Sequence, residues 1–243
     1  MWTAQEIKAL LEEVERADPD RRVFGSSHHH YRLHAPRPEA TVQALERENG
    51  IVLPPDYRDF ILQIGDGGAG PFYGMDDLTS ASRYSDLTQP FPLTESSEVL
   101  EDGRLEELID PNQYPGVPGG LALGHQGCGI YAWLIVNGAT YGTVWDGRED
   151  FYPTGLSFWQ WYEKWLNRLR DRALPTLANE RRIVGIKVGM PLAEVTKRFP
   201  TQERSRMTGV CRGEAYHVAF IGLATEFAVS KKENIVRIIE HSI

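Results

Sequence analysis

The chain has 243 residues, 41% of them hydrophobic and 25% charged, with a formal net charge of −8. That balance supports a genuine core and excludes a disordered or fibrous chain. No stretch approaches the roughly 20 apolar residues of a membrane helix, and the start, Met1-Trp2-Thr3-Ala4-Gln5-Glu6, lacks the basic start and apolar run of a secretory leader, so the expectation is a cytoplasmic protein with no membrane partner. Cys128 and Cys211 stand far apart and predict free thiols in a reducing compartment rather than a disulfide framework.

The first element is a helix. Thr3 and Glu6 have capping-box spacing, Ile7, Leu10, Leu11 and Val14 share one face, and Asp18-Pro19 ends the run. His28, His29 and His30 follow. Adjacent side chains on an extended segment alternate in direction, so the three do not converge on one ion, and no metal is expected. They read as a partly exposed strand leading into Tyr31-Arg32-Leu33.

Pro38 opens a second helix with Val42 and Leu45 on its apolar side, stopped by Asn49-Gly50. A third starts near Pro55, buries Tyr57, Phe60, Ile61 and Ile64, and ends at Gly65. Gly65-Asp66-Gly67-Gly68-Ala69-Gly70-Pro71 then demands a tight turn. Gly65, Gly67 and Gly70 have dinucleotide-fingerprint spacing. That fingerprint, however, must follow a strand and open a helix, whereas this run follows a helix and meets Pro71. No cofactor is expected.

Charge is unevenly placed. Residues 1–75 carry 12 acids and 8 bases; residues 76–113 carry 10 and 2; residues 114–173 carry 5 and 5; residues 174–243 carry 7 and 11. The middle segment is rich in proline and mostly irregular, with one short helix expected around Leu105–Ile109. It is either a solvated loop or an acidic face that attracts a basic protein. On the second reading the partner-binding candidates are Asp76, Asp77, Asp86, Glu98, Glu101, Asp102, Glu106 and Glu107.

Gly124-His125-Gln126-Gly127-Cys128-Gly129 reads as a glycine-rich turn. A catalytic thiol there needs His125 as base, an orienting acid and an oxyanion hole. No orienting acid can be assigned, so the chain is read as a non-enzyme, with a cysteine-dependent enzyme using Cys128 and His125 as the rival. Ile130–Val136, the turn at Asn137-Gly138 and Thr140–Trp145 predict a central hairpin. Ser157 caps another helix, whose Phe158, Trp161, Tyr162, Trp165 and Leu169 form a core-packing stripe.

Arg170–Asn179 reads as a boundary between a first domain, 1–172, and a small α+β module, 180–243. Within the module Arg182–Val188, Glu214–Ile221, Thr225–Val229 and Ile235–Glu240 suggest strands, and Pro191–Phe199 a helix. No nucleotide-binding, zinc-protease or serine-hydrolase motif occurs, and an acidic chain without interleaved bases and aromatics argues against direct nucleic-acid contact.

Several segments carry a resemblance. Phe24 to His34, Asn49 to Phe60 with its Leu53-Pro54-Pro55-Asp56-Tyr57-Arg58 core, Gly65 to Pro71 with Tyr73-Gly74-Met75, Leu123 to Gly129, and the Tyr131–Val136 strand resemble the SUKH superfamily, related to yeast cell-wall regulators of the Smi/Knr type. The likeness covers about residues 1–170. It implies an α+β fold with helices packed on a mostly antiparallel sheet. It also implies a role as an immunity protein that neutralises a polymorphic, nuclease-type toxin by direct binding. The alternative is a regulatory adaptor or scaffold. Because the toxin-binding surface diverges in this superfamily, no contact residue is carried over.

Overall fold

The computed structural model describes residues 2–83, 85–99, 117–147, 150–175 and 177, isolated positions between 191 and 197, and the backbone of strands 202–205, 215–220, 225–230 and 236–241. It is α+β, with helices set against one antiparallel sheet and a second antiparallel sheet built from the C-terminal strands.

Helix α1, Ala4–Ala17, begins with a reciprocal cap: the Thr3 hydroxyl accepts the Glu6 N–H and the Glu6 carboxylate accepts the Thr3 N–H. Its Ile7, Leu10, Leu11 and Val14 enter the core. The helix ends on Asp18, whose carboxylate is fully buried. A charge so placed persists only if donors surround it. The backbone N–H groups of Arg22 and Val23 and the Tyr31 hydroxyl donate to it at 2.7, 3.0 and 2.7 Å. One buried acid thus organises the loop from 18 to 31.

The strand expected through the three histidines is instead a helical turn, α2, Ser26–His29, closed by left-handed Gly25 and His30. Asp18 fixes both ends of the loop, and a β-carbon on Gly25 would stand 1.5 Å from the Phe72 carbonyl oxygen. These tertiary contacts override the local preference for extension. Helices α3, Glu39–Asn49, and α4, Pro55–Gln63, follow as the periodicity predicts. Arg58 ties them together, pairing with Glu39 and with Glu46 at 3.2 Å. A short helix not read from the sequence, α5, spans Leu78–Ser82 and is capped by the Asp77 side chain.

The main sheet has the order β1 (Gly120–Gly127), β2 (Ile130–Ile135), β3 (Thr143–Gly147), β4 (Phe151–Ser157), all antiparallel. The hairpin expected around Asn137 is β2–β3. Its connection is wider than two residues because the Asn137 side chain donates to the carbonyls of Leu87 and Thr88. The expected turn over 124–129 is largely strand β1, with the turn itself only at Gly127–Gly129. Gly124 is small for another reason: the Gly74 carbonyl oxygen lies 2.2 Å from where its β-carbon would be.

The two faces of the sheet bury different sets. Ala132, Leu134 and Val144 join the helices in the larger cluster, while Trp133, Ile135, Trp145 and Phe151 pack with Phe91, Leu93 and Val117 from the acidic segment and its exit. Helix α6, Phe158–Arg168, opens on a Ser157–Gln160 capping box and buries Phe158, Trp161, Tyr162, Trp165 and Leu166. Asp56 on α4 reaches across to accept the Trp159 N–H at 3.0 Å, and the Tyr162 hydroxyl donates to the Ala69 carbonyl at 3.0 Å. A π-helical turn, Leu169–Ala173, carries the chain on, and the first core extends to Leu177, fully buried.

The C-terminal strands pair in the order β5 (Gln202–Ser205), β6 (Ala215–Phe220), β7 (Thr225–Ser230), β8 (Val236–His241), again antiparallel. Three of these match expected strands; β5 was not anticipated. The expected strand Arg182–Val188 and helix Leu105–Ile109 lie outside the described residues, as does most of Pro191–Phe199. No described helix is long and apolar enough to cross a membrane.

Candidate functional site

Three segments meet on one concave face: the loop organised by Asp18, the glycine loop after α4, and the β1–β2 turn. Gly68 and Met75 exchange backbone hydrogen bonds of 2.8 and 2.7 Å across the glycine loop. Gly68 is left-handed, and a β-carbon there would lie 2.3 Å from the Arg32 carbonyl oxygen, so only glycine lets these backbones touch. Asp66, buried within the run, accepts the Leu78 N–H at 2.9 Å and pairs with Arg37, which also reaches Asp77 at 2.7 Å. The outgoing segment then runs along β1, the Asp76 N–H donating to Leu123 at 2.8 Å and the Tyr73 N–H to His125 at 3.4 Å.

Two clefts open side by side here. One, about 490 Å³, is lined by His28, Tyr73, Met75, Asp76, His125 and Cys128. The other, about 430 Å³, lies between the glycine loop and α6, with Phe24, Phe72, Trp161 and Trp165 among its walls. Aromatic contacts join them. Tyr73 meets Phe24 at 4.9 Å, the edge of His28 at 4.6 Å, and stacks on His125 at 5.6 Å. Phe72 and Cys128, one in each cleft, hold left-handed backbone at φ 56° and 53°. For residues with a β-carbon this is a strained conformation, of the kind that gathers at working surfaces.

The chemistry of the first cleft is limited by its histidine. His125 Nε2 accepts the Gly129 N–H at 3.0 Å, so that lone pair is turned to backbone and not to the thiol. Burial, and then the nearby His28, lower the His125 pKa below the ordinary histidine value. Cys128 is partly exposed at the turn. Partial burial, and then repulsion by Asp77, push the Asp76 carboxyl up from the ordinary range even though the residue remains exposed. The three consecutive histidines diverge: His28 looks into the cleft, His29 is buried against Trp165 and Tyr31, and His30 is exposed. Among the described residues no group of three His, Cys, Asp or Glu side chains is placed to hold a metal ion.

The acidic candidates separate. Asp76 is exposed and lines the first cleft. Asp77 is turned inward: it caps α5 through the Thr79 and Ser80 N–H groups and pairs with Arg37. Burial alone would raise its pKa, but the hydrogen bonds from Ser80 and Thr79 and the Arg37 charge bring it below the ordinary value. Asp86 is exposed and accepts from Thr88, and Glu98 is exposed and accepts the Tyr152 hydroxyl at 2.9 Å. Glu101, Asp102, Glu106 and Glu107 lie outside the described residues.

The second cleft was not anticipated. Its signal stands in α6, where Trp161, Lys164, Trp165 and Arg168 recur at i, i+3, i+4 and i+7. Read from aromatics alone, that stripe is core; the interleaved cations mark its open side.

A family model, the SMI1 / KNR4 family (SUKH-1), matches residues 36–164, from just ahead of α3 into α6. No curated protein and no solved structure matches the chain.

Proposed function

Because the chain belongs to the SMI1 / KNR4 family (SUKH-1), we propose that it is an immunity-type protein, non-enzymatic, that neutralises a protein toxin by direct contact. The observation that carries this reading is the acidic segment, 10 acids against 2 bases over residues 76–113, with Asp76, Asp86 and Glu98 exposed. Toxins that cut nucleic acid use Lys and Arg to meet phosphate, and a negative surface of this kind covers such groups. Opposed charge accelerates encounter more than it deepens affinity, and salt screens it. The non-enzymatic side of the reading is supported by the engagement of His125 Nε2 with the Gly129 N–H, which commits that lone pair to backbone.

The test is association with the product of the adjacent open reading frame, measured across a salt series. The reading expects an association rate that falls steeply with salt, and that falls at least about tenfold when Asp76, Asp86 and Glu98 are together replaced by lysine. A rate flat with salt and unchanged by the triple replacement overturns the acidic contact face. Absence of any binding overturns neutralisation by this chain.

A further inference from the structure

The second cleft has a chemistry opposite to that of the acidic segment. Trp161 and Trp165 are buried in its wall, and Phe24 and Phe72 are half-exposed. Lys164 and Arg168, one helical turn apart on α6, are exposed at its rim. In a chain with 34 acids and 26 bases, carboxylates are in surplus, and Arg21, Arg37, Arg58 and Arg170 all have one in contact. Arg168 has no such partner among the described residues. Lys164 is only near Asp146, whose carboxylate is held by the Gln126 side chain. The cleft therefore presents an apolar, ring-lined wall beside two cations, of which Arg168 has no carboxylate in contact among the described residues.

We propose that this cleft docks an acidic–aromatic segment of a partner protein, its ring against the Trp161 and Phe72 walls and its adjoining carboxylate on Arg168 and Lys164. A volume of about 430 Å³ falls within the range of about 300–1,000 Å³ typical of ligand sites and accommodates one aromatic side chain with its neighbours. Ring anchors seated in a pocket with a charged rim are the usual energetic centre of a protein contact. Arg168 suits a carboxylate better than a lysine would, because its planar fork binds two oxygens at once. Asp146 also lines the cleft and disfavours a carboxylate seated beside it, which leaves Arg168 as the main anchor. This site does not depend on toxin binding through the acidic segment, since the two surfaces select partners of opposite charge.

The test uses the full chain and a capped tripeptide, Glu-Phe-Asp, titrated by calorimetry and tryptophan fluorescence. Saturable binding is expected, weakened by salt and reduced at least about tenfold in the doubly charge-reversed variant K164E/R168E. Both positions are exposed, so the variant keeps its circular dichroism spectrum. The fluorescence change is expected to shrink in Trp161→Phe. Equal binding of Lys-Phe-Lys, or of the peptide with alanine in place of its ring, overturns the proposal. So does saturation by phenylacetate as tight as by the peptide, which makes this a small-molecule site. No binding at millimolar peptide overturns it as well.

Discussion

At the scale of single residues, buried polar groups define this fold as firmly as its hydrophobic ones. Among the described residues, His29 is one whose pairing is incomplete. Its Nδ1 accepts the Tyr31 N–H at 3.0 Å, while Nε2 is buried without a partner. Burial, and after it the neighbouring charges of His30 and Arg21, lower its pKa to about 4. The folded state therefore holds the neutral ring at a pH where the unfolded chain has already taken up a proton. Stability on this account is intact above the ordinary histidine pKa of about 6.5 and drains away as pH falls from there toward about 4. The loss between about pH 7 and about pH 5 is roughly 2 kcal/mol. Urea midpoints should show that acid limb in the native chain and a flatter one in His29→Phe, which keeps the ring's bulk and cannot be protonated. Parallel acid limbs in the two proteins would remove His29 as the cause. None of this is written in the histidine run itself. Three adjacent histidines look alike until the contacts of Asp18 and Gly25 decide which one turns inward.

At the scale of elements, two helices are stapled by a residue at the start of one that caps the start of the other. Asp56 sits in the first turn of α4 yet accepts from the second residue of α6, 103 positions later. Removing that acceptor in Asp56→Ala strips one donor at the α6 N-terminus of its partner, at a cost of about 1 kcal/mol, with Asp56→Asn keeping most of it. Thermal melts of the three proteins check the order. The helices α1, α3, α4 and α6 were legible because spacing and caps agree in each. Strand β1 was not, because one of its glycines, Gly124, serves close backbone approach from Gly74, a contact 50 residues away in sequence. Helix α5 was hidden because its cap, Asp77, reads as one more acid in an acidic run. The same ambiguity divides the candidate site. Asp76 faces outward as its charge predicts, while Asp77 is held by Arg37, 40 residues earlier, a pairing no local pattern announces.

At the scale of the whole chain, the family match ends within α6, but the core of the first sheet does not. Ala173 and Leu177 are both fully buried in it. A chain ended after residue 179 is thus expected to keep a cooperative unfolding transition, and one ended after residue 172 to lose at least about 2 kcal/mol with the packing of Leu177. Chemical denaturation of the two truncations measures the difference; equal stability would place Leu177 outside the working core. The change of rhythm after Arg170 suggests a boundary before a small C-terminal module, whereas the burial of Ala173 and Leu177 is a property of tertiary packing alone.

The placement of Tyr73 to Asp76 beside β1 has one more effect. Sheets are open to adventitious pairing where a margin strand shows unused amides. Here one margin is already occupied by the protein's own loop, and the other, β4, is interrupted by Pro153, which has no amide hydrogen, and by left-handed Gly155. A stray strand meets no continuous ladder on either side. A partner that meets this first sheet must therefore be gripped with side chains, so the choice of companion there can change through surface substitutions while the scaffold beneath stays as it is.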